Sequence, residues 1–270
     1  MTPIDDMVFI GKPGLFIPKH EEIHISVTFT WDKIAGLELQ KDWQRYTDKP
    51  ILIGGPAFGD PGGEFTPGMY LKSGCTITSR GCPNRCDFCF VPKRSGELRE
   101  LEIKEGNILL DDNLLGCSDR HLNNVLEMLK TQRAISFCSG LEAKRITDNI
   151  IDRLRGLRIK FIFTAYDRRA QTKPVKTAIT KLRKYFRQDQ IRCYVLVGYG
   201  EDTLEKAGER CRFIYELGAL PFAMLYRDEI GKTDIRWREF QRFWTRPAIY
   251  KSVIANTELM KLKQFYNYED

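Results

Sequence analysis

The sequence predicts an α/β protein built on a parallel sheet, and three observations carry that prediction. Six short apolar runs recur after residue 70, at 76–78, 107–110, 134–138, 159–166, 191–197 and 221–226. Most are separated by stretches of helical periodicity. Each connection is longer than a hairpin needs, so the strands are joined by βαβ crossovers, with the reactive edge at their carboxyl ends. In chain order, IHISVTFT (23–30) reads as a strand, 31–46 as a helix and PILIGG from residue 50 as a second strand. The run 54–68 then holds six of the 21 glycines and three of the 12 prolines, a composition that sustains neither helix nor central strand, and reads as a linker loop. A helix over 202–217 places Leu204, Ala207, Cys211 and Ile214 at spacings of three and four. Asp202 or Thr203 caps it, Gly218 stops it, and Cys211 belongs to the core, as does Cys193 within its strand. From Glu229 onward the chain reads as helices interrupted at Pro247. The expected organisation is an amino-terminal α/β segment with its linker (1–69), a core (70–228) and a helical extension (229–270). No internal repeat or low-complexity tract is evident in the sequence.

Composition narrows the function classes. The 270 residues include 43 Lys+Arg and 36 Asp+Glu, a net charge of +7, with 42% hydrophobic and 29% charged residues. Values this close to globular averages exclude disorder and fibrous repeats. No run approaches the roughly 18 apolar residues of a spanning helix, and the start MTPIDDMVFIGKPG carries acids where a secretory signal carries bases. A cytoplasmic protein without a membrane partner is expected. Its eight cysteines are then reduced, and read as buried residues, metal ligands or catalytic groups before disulfides.

Three of the eight crowd into Cys82-Pro-Asn-Arg-Cys86-Asp-Phe-Cys89. The polar and proline spacers mark an exposed loop, which disfavours three buried thiols. Structural zinc takes four ligands in paired knuckles; there is no second knuckle, and the only histidines are His20, His24 and His121. An iron–sulfur cluster takes four cysteines, so three ligands leave one iron for something other than protein. A non-enzymatic metal module, either a zinc nucleic-acid adaptor or an electron carrier, is the competing class.

The C-x3-C-x-(aromatic)-C pattern after the first of six strands resembles the radical S-adenosylmethionine superfamily, over roughly residues 70–228. The resemblance implies a partial (β/α)6 TIM-like barrel and a 4Fe-4S cluster held by Cys82, Cys86 and Cys89. The fourth iron is chelated by S-adenosylmethionine, whose reductive cleavage gives a 5′-deoxyadenosyl radical that abstracts hydrogen from the substrate. It further implies a one-electron reductant such as flavodoxin or ferredoxin as partner. Phe88 matches the aromatic position beside the adenine. Asp111-Asp112-Asn113 matches the acidic run after the second strand that receives the ammonium, with Asp112 and Asn113 as the candidates. Asp167, in Ala165-Tyr166-Asp167, stands where the family has a Glu-Ser pair for ribose and carboxylate. Tyr194-Val-Leu196-Val-Gly198-Tyr-Gly-Glu201 matches the fifth-strand motif at Gly198 and Glu201 but departs from it at Tyr194 and Leu196. Gly62-Gly63-Glu64 precedes the cysteine loop and reads as a turn. Methylthiotransferases are disfavoured because only Cys75 lies upstream, and members with a cysteine-rich tail because nothing follows Cys211. The strand before Gly54-Gly55-Pro56 looks like a shortened cobalamin domain, yet the Asp-x-His-x-x-Gly signature is missing; Asp119-Arg-His121-Leu-Asn-Asn124 lacks the glycine. Cobalamin is therefore not expected.

Charge bears on the substrate. Residues 153–192 hold 13 Lys+Arg and two Asp+Glu, +11, leaving −4 for the rest. Lys173, Lys176, Lys184 and Arg187 share one helix face, expected to be solvated, opposite Val175, Ala178, Ile179, Leu182 and Phe186. Arg168 and Arg169 follow the fourth strand directly and are the candidates for holding a phosphate or carboxylate, which favours a small anionic substrate over nucleic acid. Arg236, Trp237, Arg238, Arg242, Trp244 and Arg246 are expected to cap the core rather than stack bases. Cys117 and Cys138, near strand ends, are weaker candidates for facing the cavity.

Overall fold

The computed structural model describes residues 2, 3, 5–59 and 63–256. The turn at Gly62-Gly63-Glu64 and the end of the carboxyl-terminal extension fall in part outside them. The fold is α/β. Six strands form one parallel sheet, flanked by helices. They are β3 (Cys75–Thr76), β6 (Ile108–Leu109), β7 (Ile135–Phe137), β8 (Ile159–Tyr166), β9 (Ile191–Val197) and β10 (Leu220–Leu225). These are the six predicted runs, and strand order follows chain order, which is compatible with a partial barrel. The described chain divides into two compact units, residues 1–125 with 228–231, and 126–227 with the chain from 232.

In the first unit, β1 (Ile23–Ser26) pairs in parallel with β2 (Ile51–Gly54), with α1 (Lys33–Trp43) between them. Ile25, Val27, Trp43 and Ala57 form their core, with Phe9, Ile17, Leu39 and Ile53 packed against it. The predicted 23–30 strand therefore ends early. A 3-10 turn at Thr30–Asp32 leads into the helix instead. The glycine-rich run is not wholly linker: a 3-10 turn at Pro56–Phe58 buries Ala57. Gly55 allows this approach, having a φ of 99° and standing where a Cβ would meet the Val27 backbone at 2.8 Å.

The same unit pairs β3 with β6, Cys75 opposite Ile108 and Thr76 opposite Leu109. Between them lies an antiparallel pair, β4 (Ser79–Arg80) with β5 (Arg99–Glu100), and a short helix, α2 (Val91–Ser95). Sequence periodicity foretold none of these three, because two-residue strands of Ser, Arg and Glu carry no apolar alternation and Pro92 interrupts the helix pattern. Helix α3 (Asp119–Thr131) follows.

The second unit carries the longer strands, crossed by α4 (Asp148–Arg155), α5 (Thr172–Arg183) and α6 (Leu204–Glu216). One face of β9 is fully buried through Ile191, Cys193, Val195 and Val197; the other presents Arg192, Tyr194 and Leu196, which are half-buried. On α5, Val175, Ala178, Ile179 and Leu182 are buried while Lys173, Lys176 and, beyond its end, Lys184 and Arg187 are exposed, the division the spacing predicts. Helix α6 buries Ala207, Cys211 and Ile214, so Cys211 and Cys193 are core as expected. Thr203 is its cap, its hydroxyl accepting from Lys206 N at 3.2 Å. Helix α7 (Ile235–Trp244) packs on β10 and buries Phe240, Phe243 and Trp244, and α8 (Pro247–Asn256) begins at the predicted break. Trp244 is 1% exposed, so it caps the core and is not available to stack a base.

Candidate cofactor site

The cysteine loop of the first unit begins at Gly81, whose φ is 81°. A Cβ there would stand 2.1 Å from the Glu97 carbonyl oxygen, so the loop start is closed against the segment leading to β5. Gly81 N donates to Asp112 Oδ2 at 2.9 Å, and Arg94 on α2 donates a short hydrogen bond to Asp112 Oδ1. Both side chains of this ion pair are largely buried, at 21% and 8% exposure. Asp112 therefore ties both ends of the cysteine segment to the stretch that follows β6. Cys82 Sγ accepts from Asn84 N at 3.4 Å and from Asn113 Nδ2 at 3.3 Å. Cys89 N donates to Cys86 O at 3.1 Å, turning the loop back.

Cys82, Cys86 and Cys89 are all half-buried free thiols, and so is Phe88 in exposure. Burial pushes the Cys89 thiol pKa up; Cys86, Cys82 and Asp112 add to this, against a hydrogen bond from the Val91 backbone. The three thiols are thus electrostatic neighbours. Among the described residues, no three His, Cys, Asp or Glu side chains converge closely enough to hold a metal ion.

Asp111 differs from its neighbours. It is 3% exposed, and its Oδ1 accepts from Thr78 N, Thr78 Oγ1 and Ser79 Oγ at 2.7–2.9 Å. Burial raises its pKa despite these bonds. The carboxylate joins the segment between β3 and β4 to the end of β6. It is a structural acceptor, and Asn113, 5% exposed, is the member of the run that reaches a cysteine sulfur. Cys117 is buried, with its thiol pushed up to about 11 mainly by desolvation.

In the second unit, Asp167 follows β8. Burial raises its pKa to about 6, against the Leu196 backbone hydrogen bond and the Arg210 guanidinium, which both lower it. The end of β9 is fastened by a charged knot. Gly198 N donates to Asp202 Oδ2 at 2.9 Å, while Arg210 donates to both Asp202 oxygens at 3.0 and 2.7 Å and to Leu196 O at 2.8 Å. The Arg210–Asp202 side chains are 12% and 8% exposed, a buried bidentate pair. Gly198 has a φ of 75°, and a Cβ there would meet Leu225 at 3.0 Å and Trp237 at 3.4 Å. Arg210 is the residue sequence reasoning missed; its signal was a basic side chain adjacent to core Cys211, on the helix that follows the motif. Of the two cap candidates, Thr203 caps the helix and Asp202 bonds the strand end.

Asp167 and Gly198 are therefore brought to adjacent strand ends through Leu196 and Arg210, whereas Glu201 is exposed. Arg168 and Arg169 are exposed too, and Arg169 Nη2 lies 3.4 Å from Glu209. Cys138 is half-buried, its carbonyl accepting from Tyr194 Oη at 2.6 Å. Compared with known proteins, the chain matches no family model and no curated sequence.

Proposed function

We propose that the protein is a radical S-adenosylmethionine enzyme built on a partial (β/α)6 barrel, with Cys82, Cys86 and Cys89 as the ligands of a 4Fe-4S cluster. The observation that carries the reading is the treatment of Cys82: a half-buried sulfur on a three-thiol loop, receiving N–H bonds from Asn84 and Asn113. Hydrogen bonds to cluster sulfurs and partial burial are the levers by which a protein sets a cluster's potential. The donor set is soft throughout, which suits iron–sulfur ligation and not a hard cation. When bound, the cluster and S-adenosylmethionine together supply a 5′-deoxyadenosyl radical.

The chain's own residues do the rest. Asp112 holds the loop ends through Gly81 and Arg94, so the thiols are presented from a fixed base. Asn113 donates to Cys82 and keeps its side chain beside the loop. Phe88 offers a half-buried ring for an adenine. Asp167, ionised above about pH 6, is an acceptor for ribose hydroxyls, and Gly198 and Glu201 lie on the turn beyond β9. The substrate is small and anionic, and a flavodoxin or ferredoxin delivers the electron.

Anaerobic reconstitution tests the reading. The wild-type chain is expected to take up a brown 4Fe-4S cluster and, under dithionite, to cleave S-adenosylmethionine to 5′-deoxyadenosine. Cys86→Ala abolishes cluster assembly and Cys211→Ala retains it. A colourless protein holding zinc, or a cluster that never cleaves S-adenosylmethionine, overturns the proposal.

A further inference from the structure

We infer that the half-buried face of the second unit's strands binds a small planar anion, an aromatic or heteroaromatic carboxylate, through Arg192 and the half-buried rings of Phe161 and Tyr194, which the buried ring of Phe163 backs. This adds a ligand class to the reading above and rests on that reading only for what becomes of the ligand afterwards.

The register builds the surface. Phe163 stands opposite Arg192, Ala165 opposite Tyr194, and Phe222 of β10 opposite Tyr194. Side chains alternate across a strand, so these groups share the face that does not pack on the helices. A charge at position 192 is unusual in a strand whose other face is wholly apolar. Its guanidinium carbon lies 4.1 Å from the Phe161 ring centre and 5.7 Å from that of Phe163. Lys160 Nζ approaches the same Phe161 ring at 5.2 Å.

Two cations therefore meet one ring, and among the described residues neither has a carboxylate partner. Several other arginines of this unit are paired: Arg210 holds Asp202, Arg169 meets Glu209 and Arg187 pairs with Asp189. Arg192 Nε is buried without a hydrogen-bond acceptor. A buried donor left unpaired is costly, whereas a guanidinium already resting on aromatic rings presents its N–H groups to a carboxylate with little further ordering.

The rings are fixed in advance as well. Tyr194 stacks on Phe163 with centroids 4.6 Å apart and planes 21° apart, and meets Phe222 edge-on at 5.7 Å. Its hydroxyl is tied to the Cys138 carbonyl. A flat apolar body lies against such a surface by offset stacking or edge contact, and the charge beside it selects an anion. Arg192 thus stands beside Arg168 and Arg169 as an anion-recognising residue.

Binding to the full metal-free chain tests this independently of any cluster. Titration calorimetry compares 2-naphthoate, 2-naphthamide and acetate. The wild type is expected to bind naphthoate about tenfold or more tightly than the amide, and acetate more weakly than either. Arg192→Met brings the acid-to-amide ratio near one, while Arg192→Lys keeps part of it. Equal binding of acid and amide by the wild type, a preference undiminished in Arg192→Met, or no naphthoate binding at millimolar concentration overturns the inference. If Arg192→Met does not fold, the wild-type ratio and Arg192→Lys decide it.

Discussion

Asp167 shows how one side chain's surroundings set its behaviour. Its carboxyl pKa is raised from 3.8 to about 6 by burial, which outweighs the Leu196 backbone bond and the Arg210 charge. A raised carboxyl pKa means that the folded state binds the proton more tightly than the unfolded chain. Its contribution to stability is thus most favourable below about pH 4 and is lost as pH rises towards 6. The full shift corresponds to at most about 3 kcal/mol. Asp167→Asn, neutral at every pH, is expected to be more stable than the wild type at pH 7.5 and to match it near pH 4, read from urea midpoints across that range. A variant less stable than the wild type at pH 7.5 would mean that the ionised carboxylate is a net stabiliser. Were Asp167 a ribose acceptor, the energy stored in its buried charge is what a bound hydroxyl would relieve. The residue type and its place after the fourth strand were legible in the sequence, but the pKa was not. It depends first on burial, and then on Leu196 and Arg210, which lie 29 and 43 positions away.

At the scale of elements, the cysteine segment illustrates what periodicity can and cannot reveal. The motif itself was readable because three thiols in eight residues have few physical explanations. The frame that holds it was not, since β4, β5 and α2 are short, polar and stabilised by contacts distant in sequence, Gly81 with Glu97 and Asp112 with Arg94. By contrast β8, β9 and β10 were read to within about a residue. Strands of a parallel sheet are long apolar runs with helices on either side, and tertiary contacts reinforce the local signal. The frame makes its own prediction. Gly81→Ala places a methyl against the Glu97 backbone, which has no flexible end to move aside, in a left-handed conformation. It is expected to cost at least about 2 kcal/mol and to lower cluster uptake. Gly200→Ala, also at positive φ but with no atom within 4 Å of its Cβ position, is expected to cost only about 1 kcal/mol. Equal urea midpoints for the two variants would show that the closure at Gly81 is not what holds the loop.

For the whole molecule, the balance of charge decides which partners are admissible. The +11 concentrated in residues 153–192 invites a nucleic-acid reading, but the structure distributes much of it among internal partners. Lys181 meets Asp148 at 2.9 Å, and Arg155 pairs with Asp152 while lying over the Tyr185 ring. Arg158 donates to the Lys130 and Gln132 carbonyls, Arg183 to the Phe186 carbonyl, and Arg187 binds Asp189. What remains exposed on α5, Lys173 and Lys176, is a solvated helix face with no aromatic ring interleaved along it; of the two tail tryptophans, Trp244 is in the core and Trp237 is half-buried beside Gly198. Among the described residues, no helix is long and apolar enough to cross a membrane. A backbone-tracking surface needs several uncommitted cations in register with phosphates, plus rings to stack on. Association with a 20-nucleotide single-stranded RNA is therefore expected to be non-specific, no tighter than roughly 10⁻⁵ M at physiological salt by fluorescence anisotropy. Charge reversal at Lys173 and Lys176 should weaken it without altering the binding of an aromatic carboxylate. Nanomolar affinity that survives 200 mM salt would point to base stacking, for which Tyr185 is an exposed ring, and would return the three-cysteine loop to the class of nucleic-acid adaptors.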